Sequence, residues 1–268
     1  MKRSVLVPAL TLTVTTAVLA ALPAVAHAQV FPAEAAWVPL RCDAAPMNDR
    51  LEDEPGAVDE RDIVGDADAP AGMRAVDAQF LYLRLRLDVD PAPGRTFRPA
   101  AWGMEIDLDR NRSTYEVLVL VDALASAATV QVFRNTVTTQ PNDPNDPADD
   151  PVVASFPVST HARSIPAVGS AFGLDPDHFL EIAVPWSTLV PLGLDRDTPI
   201  SVWAASSTSS TSLNGDFACH DGAGGDPRLD EVGSDPTVFD PIVDSDGDGF
   251  SDADEVAGGS DPTDPAST

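Results

Sequence analysis

Residues 80–88 read FLYLRLRLD, an alternation without a fault. Leu81, Leu83, Leu85 and Leu87 fall on one side, and Phe80, Tyr82, Arg84 and Arg86 on the other. A period of two belongs to a strand with one face in a core, because successive side chains of an extended chain point to opposite faces. The same period runs through 101–109, where Trp102, Met104, Ile106 and Leu108 share a side. The run 115–122 is apolar on both sides for most of its length, as a central strand is. Segments 128–135, 151–158, 178–185 and 200–207 continue the series, separated by Gly, Pro, Asn and Asp. Short strands punctuated in this way predict an all-β sandwich or barrel. One segment departs from the pattern. PWSTLVPLG, 185–193, has a proline where a helix starts and a Pro and a Gly soon after, which predicts a short helical turn.

The strands occupy the middle of the chain. Residues 1–28 read as a secretory signal peptide: Lys2 and Arg3, then an uncharged apolar run from Val5 to Val25, then Ala26-His27-Ala28. The alternative is a membrane anchor, but small-residue cleavage chemistry follows the apolar run at once. No second apolar stretch approaches the roughly 20 residues of a spanning helix, so the exported form is expected to have no transmembrane anchor. Residues 29–219 are assigned to the β domain and 220–243, rich in Gly, Asp and Pro, to a linker. The tail is 244–268. The segment 140–153, with its repeated Asn-Asp-Pro, reads as a long exposed loop between strands.

Charge narrows the partners. The 268 residues carry 43 acidic and 16 basic side chains, a formal charge of −27, and Lys2 is the only lysine. Losing Lys2 and Arg3 with the signal peptide makes the exported form two units more negative. Such a field repels nucleic acid and anionic membrane surfaces and attracts cations. The two cysteines, Cys42 and Cys219, predict one disulfide in an exported protein, tying the start of the domain to its end. Two buried thiols are the alternative.

The tail carries the most specific motif. In DSDGDGFSDADE, 244–255, Asp244, Asp246 and Asp248 fill positions 1, 3 and 5 of a calcium loop. Gly249 fills position 6 and Phe250 offers its carbonyl at 7. Asp252 takes 9, and Glu255 takes 12 as the bidentate ligand. An acidic tail alone does not explain Gly at 6 and Glu at 12, so Ca2+ is the expected cofactor. Two prolines in 235–243 exclude a regular entering helix, and Gly258-Gly259 limits the exit to barely two turns. Residues 244–265 instead resemble the thrombospondin type 3 repeats of bacterial exported proteins, in which acidic repeats wrap calcium around little hydrophobic core. A second stretch, DLDRNR at 107–112, has Asp107, Asp109 and Asn111 at the 1-3-5 spacing. Arg112 stands where Gly is required and Leu118 at position 12, so it reads as a strand-to-strand turn rather than a metal loop. The Asp-rich loop at 142–150 reads as solvated.

Three stretches, 75–88, 102–109 and 179–189, together resemble family 9 carbohydrate-binding modules and the wider DOMON-like group. That resemblance implies a non-catalytic sandwich of jelly-roll type, in which the sugar-binding members stack aromatic rings on their ligand. The positions best suited to such a face are Tyr82, Arg84, Arg86 and Trp203, whose outward parity leaves an aromatic beside polar neighbours. The competing reading is an ordinary solvent face with Arg–Glu cross-strand pairs, for which Glu105 and Glu181 have the matching parity. Catalysis finds no support: there is no Gly-x-Ser-x-Gly, no His-Glu-x-x-His and no phosphate loop, and His161, His178 and His220 lack ligand spacing. The expectation is a secreted or envelope-associated, calcium-binding, non-catalytic protein. Its partner is either an extracellular carbohydrate or, in a purely structural role, no small molecule.

Overall fold

The structure, a computed structural model, describes residues 30–53, 58–149, 151–220, 227–239, 245–246, 252–264 and 266–267. The predicted signal peptide lies outside them. Twelve strands are described: β1 Val38–Pro39, β2 Arg41–Cys42, β3 Ala45–Pro46, β4 Gly72–Val76, β5 Phe80–Leu87, β6 Ala101–Asp107, β7 Val117–Asp122, β8 Thr129–Arg134, β9 Ala154–Pro157, β10 Ala162–Pro166, β11 His178–Pro185 and β12 Ser201–Ser207. One five-stranded sheet has the order β1-β4-β5-β11-β10. A second has the order β12-β6-β7-β8-β9, and β2 and β3 form a small ribbon. Every pairing is antiparallel. The fold is the expected antiparallel β-sandwich.

The alternation seen in the sequence is what closes the sandwich. Leu81, Leu83, Leu85 and Leu87 of β5 and Leu180, Ile182 and Val184 of β11 face Trp102, Met104 and Ile106 of β6 and Val117, Val119 and Val121 of β7 in one core cluster. The strand apolar on both faces, β7, is the middle strand of its sheet and buried throughout. The chain crosses between sheets at β5–β6, β9–β10 and β11–β12. The last crossing uses the helical turn Trp186–Leu189, which runs on through Val190–Leu192 and ends at Gly193 with φ +98°. Gly103 is required for another reason: a Cβ there would sit 2.0 Å from the Val119 carbonyl oxygen, so a side chain would push β6 off β7.

Neither outer face is bare. On the first sheet, Trp37 from the N-terminal segment packs with Ala75, Tyr82 and Ala183, and Phe31 adds to the same cluster. On the second, Leu118, Leu120, Phe133, Trp203 and Ala205 are covered by Ala148, Leu213, Phe217, Leu229 and Val232 from the long loops. Two expectations are corrected here. The loop at 140–153 is folded down onto the sheet, with Asp146 and Ala148 buried. The Asp146 carboxylate is saturated by Asn135 Nδ2, the Thr139 amide and hydroxyl and the Gln140 amide, so it organises a turn rather than facing solvent. The assigned linker is, over 227–239, part of the sandwich body. Thr237 exchanges backbone hydrogen bonds with Ile200, and the Ser234 amide donates to Val202, which pairs the open edge of β12.

Cys42 and Cys219 form the predicted disulfide across a sequence separation of 177 residues. It joins the β2–β3 ribbon to the segment along β12. A loop this long is closed at an entropic advantage of about 4–5 kcal/mol in the chain-entropy model. Cys42→Ser with Cys219→Ser is expected to lower unfolding free energy by up to that amount with the far-UV spectrum preserved, as measured by urea titration.

Candidate calcium sites and the predicted ligand face

In the tail, Asp246, Asp252 and Glu255 lie within the described residues, whereas Asp244, Asp248 and Phe250 lie outside them. Asp252 opens the helix Asp252–Gly258, and Glu255 stands one turn on, the i to i+3 relation that puts both on one face. The Asp252 carboxylate accepts from the Ser245 amide at 2.7 Å and the Ser245 hydroxyl at 2.6 Å, folding the start of the loop against the helix. Glu255 is buried at 2 % exposure. Its carbonyl accepts from the amides of Gly259 and Ser260, with Gly259 at φ +89°, so the glycine pair ends the helix as its sequence predicts. Upstream, 235–239 is extended rather than helical. Among the described residues the motif has a helix on its C-terminal side alone.

The predicted ligand face is corrected. Tyr82 and Trp203 sit in different sheets and both are completely buried. The Tyr82 hydroxyl donates to Asp77 at 2.7 Å, and Trp203 Nε1 donates to the Leu229 carbonyl at 2.7 Å. Arg84 is 1 % exposed and Arg86 is 5 % exposed. The Arg84 guanidinium lies between the rings of Trp37 and Phe179, 4.0 and 4.1 Å from their centroids, and Arg86 stacks on Phe179 at 4.5 Å. Arg84 donates to Glu181, its cross-strand partner, and to both carboxylate oxygens of Glu34 at 2.7 and 2.9 Å. Arg163 also pairs with Glu181. The Arg–Glu pair foreseen from parity therefore forms for Glu181, but beneath the N-terminal segment rather than on a solvent face. What hides this is that Phe31, Glu34 and Trp37 carry no strand or helix period.

Glu105 behaves differently. It lies opposite Trp203 and Leu118 on the covered face of the second sheet, fully buried. Its Oε1 accepts from the Leu213 amide at 3.1 Å, while Oε2 meets no donor among the described residues. Burial pushes its carboxyl well above the ordinary 4.5, with the nearby Asp146 adding to the effect. Glu105 and Glu181 lie in different sheets, each shut off from solvent, so they do not make an acid–base pair.

Two further carboxylate groups come together in space. Oxygens of Asp49, Asp53 and Asp216 lie within 4.8 Å of one another, as do oxygens of Asp107, Asp109 and Glu116. The first group joins the segment after the ribbon to the one before Cys219. Its Asp216 also accepts from the Ile63 amide. The sequence pattern could not bring these residues together, because more than 160 positions separate Asp53 from Asp216.

Comparison with known proteins bears on the tail. A family model described as the bacterial TSP3 repeat matches residues 244–265. The tail is thus a repeat of a calcium-binding type. No curated protein and no solved structure matches the chain.

Two substitutions probe the buried charges. Arg84→Ala leaves Glu181 buried with one cation fewer and is expected to cost about 3–5 kcal/mol in urea denaturation. For Glu105, the raised folded-state pKa means that its protonated form stabilises the fold. That stability is complete below the unfolded value near 4.5 and declines as pH rises through the folded value. Glu105→Gln keeps an acceptor for Leu213 and removes the ionisation. It is expected to raise the urea midpoint at pH 8 and to converge with the parent protein as pH falls toward 4.5.

Proposed function

We propose that this is an exported, non-catalytic calcium-binding protein of the cell exterior, in which the sandwich is a rigid structural body and the tail an ion-ordered repeat. The observation that carries this reading is the burial of the whole predicted ligand face. Stacking on a sugar needs an aromatic ring open to solvent, and Tyr82 and Trp203 are both fully covered. The motifs that resemble family 9 carbohydrate-binding modules are, in this chain, core and covered strands. The glycan-binding reading loses its platform with them.

Export is supported by the N-terminal sequence, the Cys42–Cys219 disulfide and the extracellular habit of the tail repeat. Among the described residues no helix is long and apolar enough to cross a membrane. A non-catalytic role is supported by the placing of the two glutamates with matching parity: Glu181 is paired with Arg84 and Arg163, and Glu105 is fully buried in the other sheet.

Three measurements test the proposal together. On a glycan array, with calcium and again with chelator, the exported protein is expected to bind nothing; reproducible binding in either condition would sink the structural reading. Titration calorimetry is expected to show a calcium site that disappears in Asp246→Ala with Glu255→Ala. A protease that cuts after acidic residues should release the tail faster in chelator than in calcium. Unchanged heat in the double variant would refute the tail assignment.

A further inference from the structure

The tip of the β6–β7 hairpin carries a sequence that neither the sandwich core nor the tail uses. Asn111-Arg112-Ser113 places a hydroxyl residue two positions after an asparagine, with a residue other than proline between them. Enzymes that attach glycans to asparagine in exported proteins read this pattern. The chain has six asparagines, Asn48, Asn111, Asn135, Asn142, Asn145 and Asn214, and the pattern occurs at Asn111 alone.

The fold sets the same residue apart. An asparagine side chain carries two N–H donors, and a glycan acceptor needs them clear of the fold. Asn135 donates its Nδ2 to Asp146, Asn145 to Asp143 and Asn214 to Asn145. Asn142 is committed through its Oδ1, which accepts from the Asp230 amide. Asn111 is exposed, and its Nδ2 donates to no group among the described residues. Its other groups hold the turn. Its amide donates to Asp109 Oδ1 at 2.9 Å, and its carbonyl accepts from the Thr114 amide at 2.8 Å and the Thr114 hydroxyl at 3.2 Å. Its Oδ1 faces the Ser113 amide at 3.4 Å, so the carboxamide lies beside the residue that completes the pattern. Among the described residues Ser113 bonds through its backbone alone, by that amide and by its carbonyl to the Asn142 amide. Its hydroxyl is left over, like the Asn111 nitrogen. Arg112 donates to the Gly233 carbonyl, which pins the hairpin tip to the sandwich without covering Asn111.

We propose that Asn111 is an N-glycosylation site. The proposal rests on the export reading, because the donor, an oligosaccharide joined to a membrane lipid through phosphate, meets a chain that is translocated. In the transfer, Asn111 Nδ2 attacks the anomeric carbon of the donor sugar. The Nδ2–C1 bond forms, the C1–O bond to the lipid phosphate breaks, and the phosphate leaves with the bonding pair. The proton lost from Nδ2 goes to a base on the transferase, and nothing is oxidised or reduced. A carboxamide nitrogen is a weak nucleophile, since its lone pair is shared with the carbonyl. The transferase must therefore grip the acceptor, and the Ser113 hydroxyl is the group the fold leaves for it. The site adjoins the segments that cover the second sheet, through Ser113 to Asn142 and from Asn142 to Asp230. A bulky, hydrated oligosaccharide there shields the join between them from proteases.

The test is mass spectrometry of the full exported protein recovered from its source cells. The chymotryptic peptide 109–115 is expected to carry a glycan, with fragments that place it on Asn111. Asn111→Gln and Ser113→Ala are each expected to remove the glycan and to leave the far-UV spectrum unchanged. Ser113→Thr is expected to retain it, which a merely structural role for Ser113 would not require. Protein found outside the cell with its signal peptide removed and Asn111 bare overturns the proposal and leaves export standing. Protein kept inside the cell overturns export, and this proposal with it. A glycan that survives Ser113→Ala overturns the assignment to this pattern.

Discussion

Arg84 has no route to water. Its guanidinium lies between Trp37 and Phe179, its charge is met by Glu181 within the sheet and by Glu34 from the N-terminal segment, and 1 % of it is exposed. A buried cation is tolerable only with every partner in position, because removing one leaves an uncompensated charge in a poorly polarisable interior. The segment 30–37 is held on the sheet for that reason as well as for the apolar contacts of Phe31 and Trp37. The same residues then close over Tyr82, whose hydroxyl turns inward to Asp77. One ion-pair lattice on one strand thus decides that the first sheet is buried on both faces. The second sheet reaches the same condition by apolar means, with Trp203 under Leu229 and Leu213. The central strands of both sheets are thus buried on both faces, whereas the edge strands β9 and β10 keep exposed and half-buried positions.

That arrangement explains which parts of the fold could be read in advance. Inner-face positions alternate with period two, so Leu81 to Leu87 and Trp102 to Ile106 announce both the strand and the side that meets the core. Outer positions give no such signal, because an arginine or tyrosine that faces solvent and one beneath a covering segment have the same parity. Tyr82, Arg84 and Arg86 therefore resembled a ligand face. The covering residues Phe31, Trp37, Leu213, Phe217, Leu229 and Val232 occur singly among Gly, Pro, Ser and Asp, with no period to mark them. The stretch 227–239 resembled a linker because it extends without alternation. It pairs with the edge of β12 through Ser234 and Thr237, a role that depends on backbone groups rather than side-chain pattern.

The two acidic motifs differ in the same way. The tail was legible because a loop that wraps one ion takes its ligands from one short stretch, and position 6 demands a glycine. The Asp107–Asp109–Glu116 cluster was only half legible: the 1-3-5 spacing marks Asp107 and Asp109, while Glu116 joins them from across the hairpin. Asp107, Asp109 and Glu116 are brought together by antiparallel register. The signal that could have found them is a carboxylate just before a second hairpin strand, opposite an Asp that ends the first. The disulfide was legible for a simpler reason: two cysteines allow only one pairing.

Charge connects the two halves of the molecule. At −27 the chain repels itself, and with Lys2 as its single lysine it must compensate internally with arginine. Arg84, Arg86 and Arg163 are used up inside the first sheet, against Glu34, Asp177 and Glu181. The carboxylates of the second sheet and its loops receive no comparable set. Burial raises the Glu105 carboxyl well above its ordinary value, Asp146 collects amide and hydroxyl donors, and Asp107 accepts two backbone amides through Oδ1 while burial raises its carboxyl too.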